Sequence, residues 1–215
     1  MSLPYTGSPA AGQESPQGRS ELENTNADAR GGKIIFVSHC ILNQNAKVRG
    51  IAAFPAAIRP VVDLLLDHDV AIYQMPCPEM AYLGAMRWGQ VRDQYDSPMF
   101  RRHCQNLADQ TLDQAREYLR AGYRVMGFIM VDGSPVCGLQ KIPQPAAEGQ
   151  IWGGMPRYVP AQHFVNGRGI FCEILQAEAA RLGLAGIPFV SMPEVPDAGS
   201  FEDALGSIRD LLQGA

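Results

Sequence analysis

The sequence predicts a three-layer α/β domain, a parallel sheet covered by helices on both faces, and two observations carry that expectation. Four short runs rich in aliphatic and aromatic residues recur along the chain, with helical segments between them. The resulting β-α-β-α-β-α-β-α order is that of parallel strands joined by crossover helices. Three of the runs also stop at Pro76, Gly133 or Pro193, residues that end a central strand by removing a donor or by allowing positive φ.

Taken in order, Lys33 to Ser38 (KIIFVS) reads as the first strand and leads into His39-Cys40. An amide-rich polar loop, Ile41 to Lys47, is expected next, then a helix over Ala56 to Asp67 with Pro60 in its first turn. Val70 to Met75 forms the second strand and ends in Pro76-Cys77-Pro78-Glu79, where the prolines stiffen the backbone that presents the thiol. A loop containing Arg87, Trp88, Gln90, Arg92, Tyr95 and Asp96 precedes a long helix, Ser97 to Arg120. Its apolar positions Phe100, Cys104, Leu107, Thr111, Ala115, Tyr118 and Leu119 mark one face, and Gly122 follows as a C-terminal cap.

The third strand spans Tyr123 to Val131, and Gly133, Pro135 and Gly138 then force a tight turn around Cys137. A long connection over residues 139–168, with Trp152-Gly153-Gly154, has the length of a lid or binding loop. A helix over Gly169 to Leu182, a fourth strand over Ile187 to Met192 ending in Pro193-Glu194, and a helix over Phe201 to Leu212 close the chain. The expected class is Rossmann-like or flavodoxin-like, and if the strand order resembles 2-1-3-4, Cys40 and Cys137 flank its switch point.

A chain of 215 residues is long enough to bury one sizeable core. Residues 1–32 have almost no large apolar side chain, so a disordered tail is expected there and a single α/β domain over 33–215. The apolar share of 46% and charged share of 19% are those of a soluble globular protein. A net charge of −4 argues against nucleic-acid binding through a broad basic surface. No run of about 18 apolar residues is present for a membrane span, and no secretory leader is recognisable. Five cysteines, an odd number without regular spacing, do not form a disulfide framework, so a reducing, cytoplasmic setting is expected.

Cys40, Cys77 and Cys137 each lie just past the C-terminal end of a predicted parallel strand. Right-handed crossovers put those ends on one edge of the sheet, where open α/β folds keep their chemistry. Three converging thiols suit a soft metal, with zinc, copper(I) and iron–sulfur clusters all open at this point, and leave one coordination position free. Cys104 falls on the apolar helix stripe and reads as core. Cys172 sits in the first turn of a helix, where a thiol pKa is lowered, but packing is the favoured role there too.

Ser38-His39-Cys40-Ile41-Leu42-Asn43, Cys77-Pro78-Glu79 and Gly133-Ser134-Pro135-Val136-Cys137-Gly138 together resemble the thiouracil desulfidase family, over roughly residues 33–195. The resemblance implies a [4Fe–4S] cluster held by Cys40, Cys77 and Cys137, with a fourth iron that takes up sulfur from a thiolated substrate. The chain departs from the family pattern at Val136, where a second serine is usual. It departs again at Met80-Ala81-Tyr82-Leu83-Gly84, in place of Gly-Gly-Leu-Pro. It therefore looks like a divergent relative acting on a small thiocarbonyl compound, of which a thiolated nucleobase is one form, in sulfur metabolism.

Converting C=S to C=O needs water at carbon and a proton on the departing sulfur. Glu79 is the expected general acid/base and Ser134 a catalytic hydrogen-bond donor. Asn43, Asn45 and Lys47, with Gln44 beside them, are expected to read the substrate's polar edge. Arg92 and Tyr95 are weaker candidates, His39 a tuning residue, and Glu194 a second carboxylate at the same edge. The expected partner is a small thiolated molecule, with no nucleic acid and no membrane, and a homodimer is compatible with the sequence. Two rival functions remain: a cysteine-persulfide sulfurtransferase without a cluster, and a metal- or cluster-binding module without turnover.

Overall fold

Alternating apolar side chains make the strand β1 (Lys33–Val37) the middle of the molecule. Ile34 and Phe36 enter one buried cluster, whereas Ile35 and Val37 enter another on the opposite face. The computed structural model describes residues 28–145 and 162–214. Contacts divide the chain into two units, Met1–Arg30 and Gly31–Ala215. In the first, the backbone N–H and Nε of Arg30 both donate to Asp28. The tail expected over residues 1–32 lies mostly outside the described residues, as does the Trp152-Gly153-Gly154 stretch.

In the second unit, β1 is followed by α1 (His39–Leu42), a 3-10 turn (Gln44–Ala46), α2 (Arg59–Asp67) and β2 (Val70–Gln74). Then come α3 (Pro78–Leu83), α4 (Arg92–Tyr95), α5 (Pro98–Arg120) and β3 (Arg124–Met130). The chain continues through β4 (Lys141–Pro145), β5 (Gln162–Asn166), α6 (Ile170–Arg181), β6 (Phe189–Ser191) and α7 (Phe201–Gln213). One sheet has the order β2-β1-β3-β6 with every pair parallel, the expected arrangement with β6 as fourth strand. Helices α5 and α6 cover one face and α2 and α7 the other, giving the three-layer α/β fold. Among the described residues no helix is long and apolar enough to cross a membrane.

Three stretches expected as loops hold structure. The segment after β1 winds into α1 and a 3-10 turn, because the Asn43 side chain accepts from Asn45 N and caps that turn. The segment before Ser97 contains α3 and α4. Pro78 opens α3, and the Gln94 side chain accepts from Val91 N at 3.0 Å to start α4. Within 139–168, β4 and β5 pair antiparallel, and residues 146–161 lie outside the described ones. Pro143 and Pro145 masked β4 in the sequence, since proline removes a ladder donor, and a two-stranded ribbon tolerates that loss. On α5 the buried face runs through Phe100, Cys104, Ala108, Thr111, Leu112 and Ala115, while Leu119 is exposed.

Candidate functional site

A cavity of about 160 Å³ opens at the C-terminal edge of the parallel sheet, and Cys40, Cys77 and Cys137 all line it. The three thiols are free and half-buried. Cys40 is the second residue of α1, immediately past β1, and its carbonyl accepts from Gln44 Nε2 at 2.8 Å. Cys77 is the N-cap of α3, past β2, where its Sγ accepts from Met80 N at 3.4 Å.

Cys137 sits in a turn fastened by several side-chain and backbone hydrogen bonds. Ser134 Oγ accepts from the backbone N–H groups of Val136 and Cys137, at 3.2 and 2.9 Å. Buried Asp132, two residues past β3, accepts three successive backbone N–H bonds at Oδ1. They come from Leu139 and Gln140 at 2.8 Å and from Lys141 at 3.2 Å. The first amides of α6 reach the same turn, since Phe171 N and Cys172 N donate to the Val136 carbonyl. The approach is close enough that a Cβ on Gly169 would lie 2.3 Å from the Val136 carbonyl carbon.

Two ion pairs frame the thiols. Arg87 Nε donates to Glu79 Oε2 at 3.0 Å, and Tyr95 OH donates to the same oxygen at 3.1 Å. Arg87 also reaches the carbonyls of Ala46 and Gly84, at 2.7 and 3.3 Å. Opposite, Lys47 is paired with Glu194, which lies three residues past the end of β6. Gln44 Nε2 donates to the other Glu194 oxygen at 2.7 Å.

No family model matches the chain. Over 112 residues it is 36% identical to the uncharacterized protein MJ0003 of Methanocaldococcus jannaschii, a stretch covering 52% of this chain and 71% of that protein. The chain belongs to that protein's family. A solved structure, the [4Fe-4S]-dependent thiouracil desulfidase TudS, aligns with 81% of this chain and 99% of its own, at 20% identity and a TM-score of 0.43. A likeness that loose transfers no chemistry.

In this family member the thiols are shaped by burial and by one another. Burial pushes Cys40 up to about 11, with Cys77 and Glu79 adding to the rise and Lys47 opposing it. Cys77 is raised by burial and by Glu79, against the Met80 N–H and Arg87. Cys137 is raised well above its ordinary value, by burial and then by Cys77, Cys40 and Glu79. Three thiolates side by side are therefore unfavourable without a cationic centre to bind them. Among the described residues, no three His, Cys, Asp or Glu side chains close to the grip of a single metal ion. Thiolates around one zinc stand only about 3.8 Å apart, from Zn–S bonds of about 2.3 Å in a tetrahedron. Three soft thiol donors around one cavity are the donor type that iron–sulfur clusters take.

Of the other residues expected at the site, Glu79, Ser134, Lys47, His39 and Glu194 line the cavity. Asn43 and Asn45 are not among its lining residues, and Asn45 is exposed. Arg92 lies in a separate surface network with Asp96, Glu173 and the Arg168 carbonyl. Tyr95 supports Glu79, and burial and the Glu79 charge push its phenol upward, so it remains a donor. Cys104 and Cys172 are fully buried in the helix-side core. Arg87 and Asp132 were missed as site residues, and only Asp132 left a signal, an acidic residue directly before a Gly-Ser-Pro turn.

Proposed function

We propose that the protein is a [4Fe–4S]-dependent desulfidase that removes sulfur from a small thiocarbonyl compound, with Cys40, Cys77 and Cys137 as the cluster ligands. The observation that carries this reading is the meeting of three half-buried thiols, from the ends of three adjacent parallel strands, around one cavity. The ordered motifs that resemble the thiouracil desulfidase family support the same assignment. When bound, a cluster held by three thiolates supplies an open iron position with affinity for sulfur.

The rest of the chemistry falls to the chain. The net reaction takes one water, turns C=S into C=O and releases hydrogen sulfide, with no change of oxidation state. Arg87 and Tyr95 both engage Glu79 Oε2 and fix the carboxylate, while no described hydrogen bond reaches Oε1. Glu79 Oε1 takes the proton from the attacking water and returns it toward the departing sulfur. Ser134 accepts two backbone N–H bonds, which leaves its own hydroxyl hydrogen to donate to the substrate.

The persulfide alternative needs a ready thiolate as nucleophile. Burial raises all three cavity thiols and so disfavours that alternative. The test is anaerobic reconstitution followed by sulfide release from thiobenzamide. Desulfidase chemistry requires a brown protein and catalytic sulfide, whereas brown protein without sulfide from any thiocarbonyl compound indicates a binding module.

A further inference from the structure

Among the described residues, each charged side chain lining the cavity has its compensation within the protein. Lys47 is paired with Glu194, and their side chains are 14% and 2% exposed. Arg87 is paired with Glu79, at 4% and 13%. Asp132 holds three backbone N–H groups on one oxygen. His39 Nδ1 faces the Met75 carbonyl at 3.3 Å. The remaining wall includes Val48, Ile51, Val131, Pro143, Phe164 and Val195.

An ion entering such a space gives up hydration, and the counter-charges within reach are those of two buried ion pairs and of Asp132, whose Oδ1 already holds three N–H groups, so the cost that pairing normally offsets is largely left standing. To recruit Lys47 or Glu79 it must break a buried pair and strand the abandoned partner. An uncharged molecule meets neither cost and gains contact with the apolar wall. We propose that the cavity selects an uncharged ligand and rejects anionic and cationic molecules of the same shape. This rests on the desulfidase reading only for the statement that the ligand carries a thiocarbonyl; the charge selection is a property of the side chains.

Benzamide, benzoate and benzamidinium are nearly isosteric and differ in charge, so their binding to the full chain, measured anaerobically with and without the cluster, reads the selection and separates the side chains from the iron. Benzamide is expected to bind at least about tenfold more tightly than either ion. Glu194→Gln frees Lys47 and should raise benzoate affinity relative to benzamide by about tenfold, and Lys47→Met should do the same for benzamidinium. The wild-type comparison stands alone if a variant fails to fold. Absence of a preference for benzamide in the wild type, or an unchanged ratio in a folded Glu194→Gln protein, overturns the proposal. Sulfide release separates it from the desulfidase reading. Equal kcat/KM for thiobenzamide and thiobenzoate removes charge selection and keeps the desulfidase. Selective benzamide binding without sulfide from thiobenzamide does the reverse.

Discussion

Glu79 and Cys104 show two kinds of residue that the sequence presents in similar ways. The place of Glu79 on the cavity wall was legible because it stands two positions after a cysteine flanked by prolines. Its partner Arg87 was not, since a guanidinium in an apparent loop gives no sign that it will be buried. If Glu79 carries the proton, Glu79→Gln should keep its iron yet lose sulfide release by about 10²–10⁴-fold, measured as kcat on cluster-loaded protein. A loss under tenfold would leave Glu79 as a tether for Arg87. Cys104 was legible as core from its helical stripe, and burial pushes its thiol up to about 12, from an ordinary 9.0. The unfolded chain releases that proton first, so the native state binds more protons in this range and stability falls as pH rises from about 9 toward 12. Urea midpoints of metal-free protein should therefore decline between pH 8 and pH 10.5. Cys104→Ala should show a shallower decline, whatever its stability at pH 8. Equal slopes would mean that the thiol does not titrate with unfolding.

Among the elements, the turn after β3 has the clearest physical logic. Gly133 adopts φ 86°, and Asp132 closes the loop on three amides. Asp132→Ala leaves those three part-buried N–H groups short of a charged acceptor. The expected cost is about 2–4 kcal/mol, less than the sum of three charge-assisted bonds because water replaces part of them. Asp132→Asn keeps an oxygen acceptor and should lose much less. Thermal unfolding gives the stability difference. Alkylation of metal-free protein should show Cys137 reacting faster in Asp132→Ala while Cys40 changes little. The strands and long helices were readable because period and capping agree, as with Ser97, whose Oγ accepts from Phe100 N at 3.2 Å at the start of α5. The short helices α3 and α4 were not readable, since four to six residues show no period. The β4–β5 ribbon was hidden by its own prolines.

At the scale of the whole molecule, topology explains how cysteines so far apart in sequence share one cavity. Parallel strands in the order β2-β1-β3-β6 put the ends carrying Cys77, Cys40, Cys137 and Glu194 on one edge. That much follows from the crossover rule once four strands are read from the sequence. The pairing of Lys47 with Glu194 and of Arg87 with Glu79 did not follow, because it depends on side-chain reach across the cavity. On the proposed assignment, Cys40, Cys77 and Cys137 hold a four-iron cluster. Iron and acid-labile sulfide per chain after anaerobic reconstitution, compared across four alanine variants, test it most directly. Wild type and Cys104→Ala should reach about four of each, and Cys40→Ala, Cys77→Ala and Cys137→Ala should each fall to a small fraction of that. Equal loading in all four variants would contradict the assignment and mark the iron as adventitious.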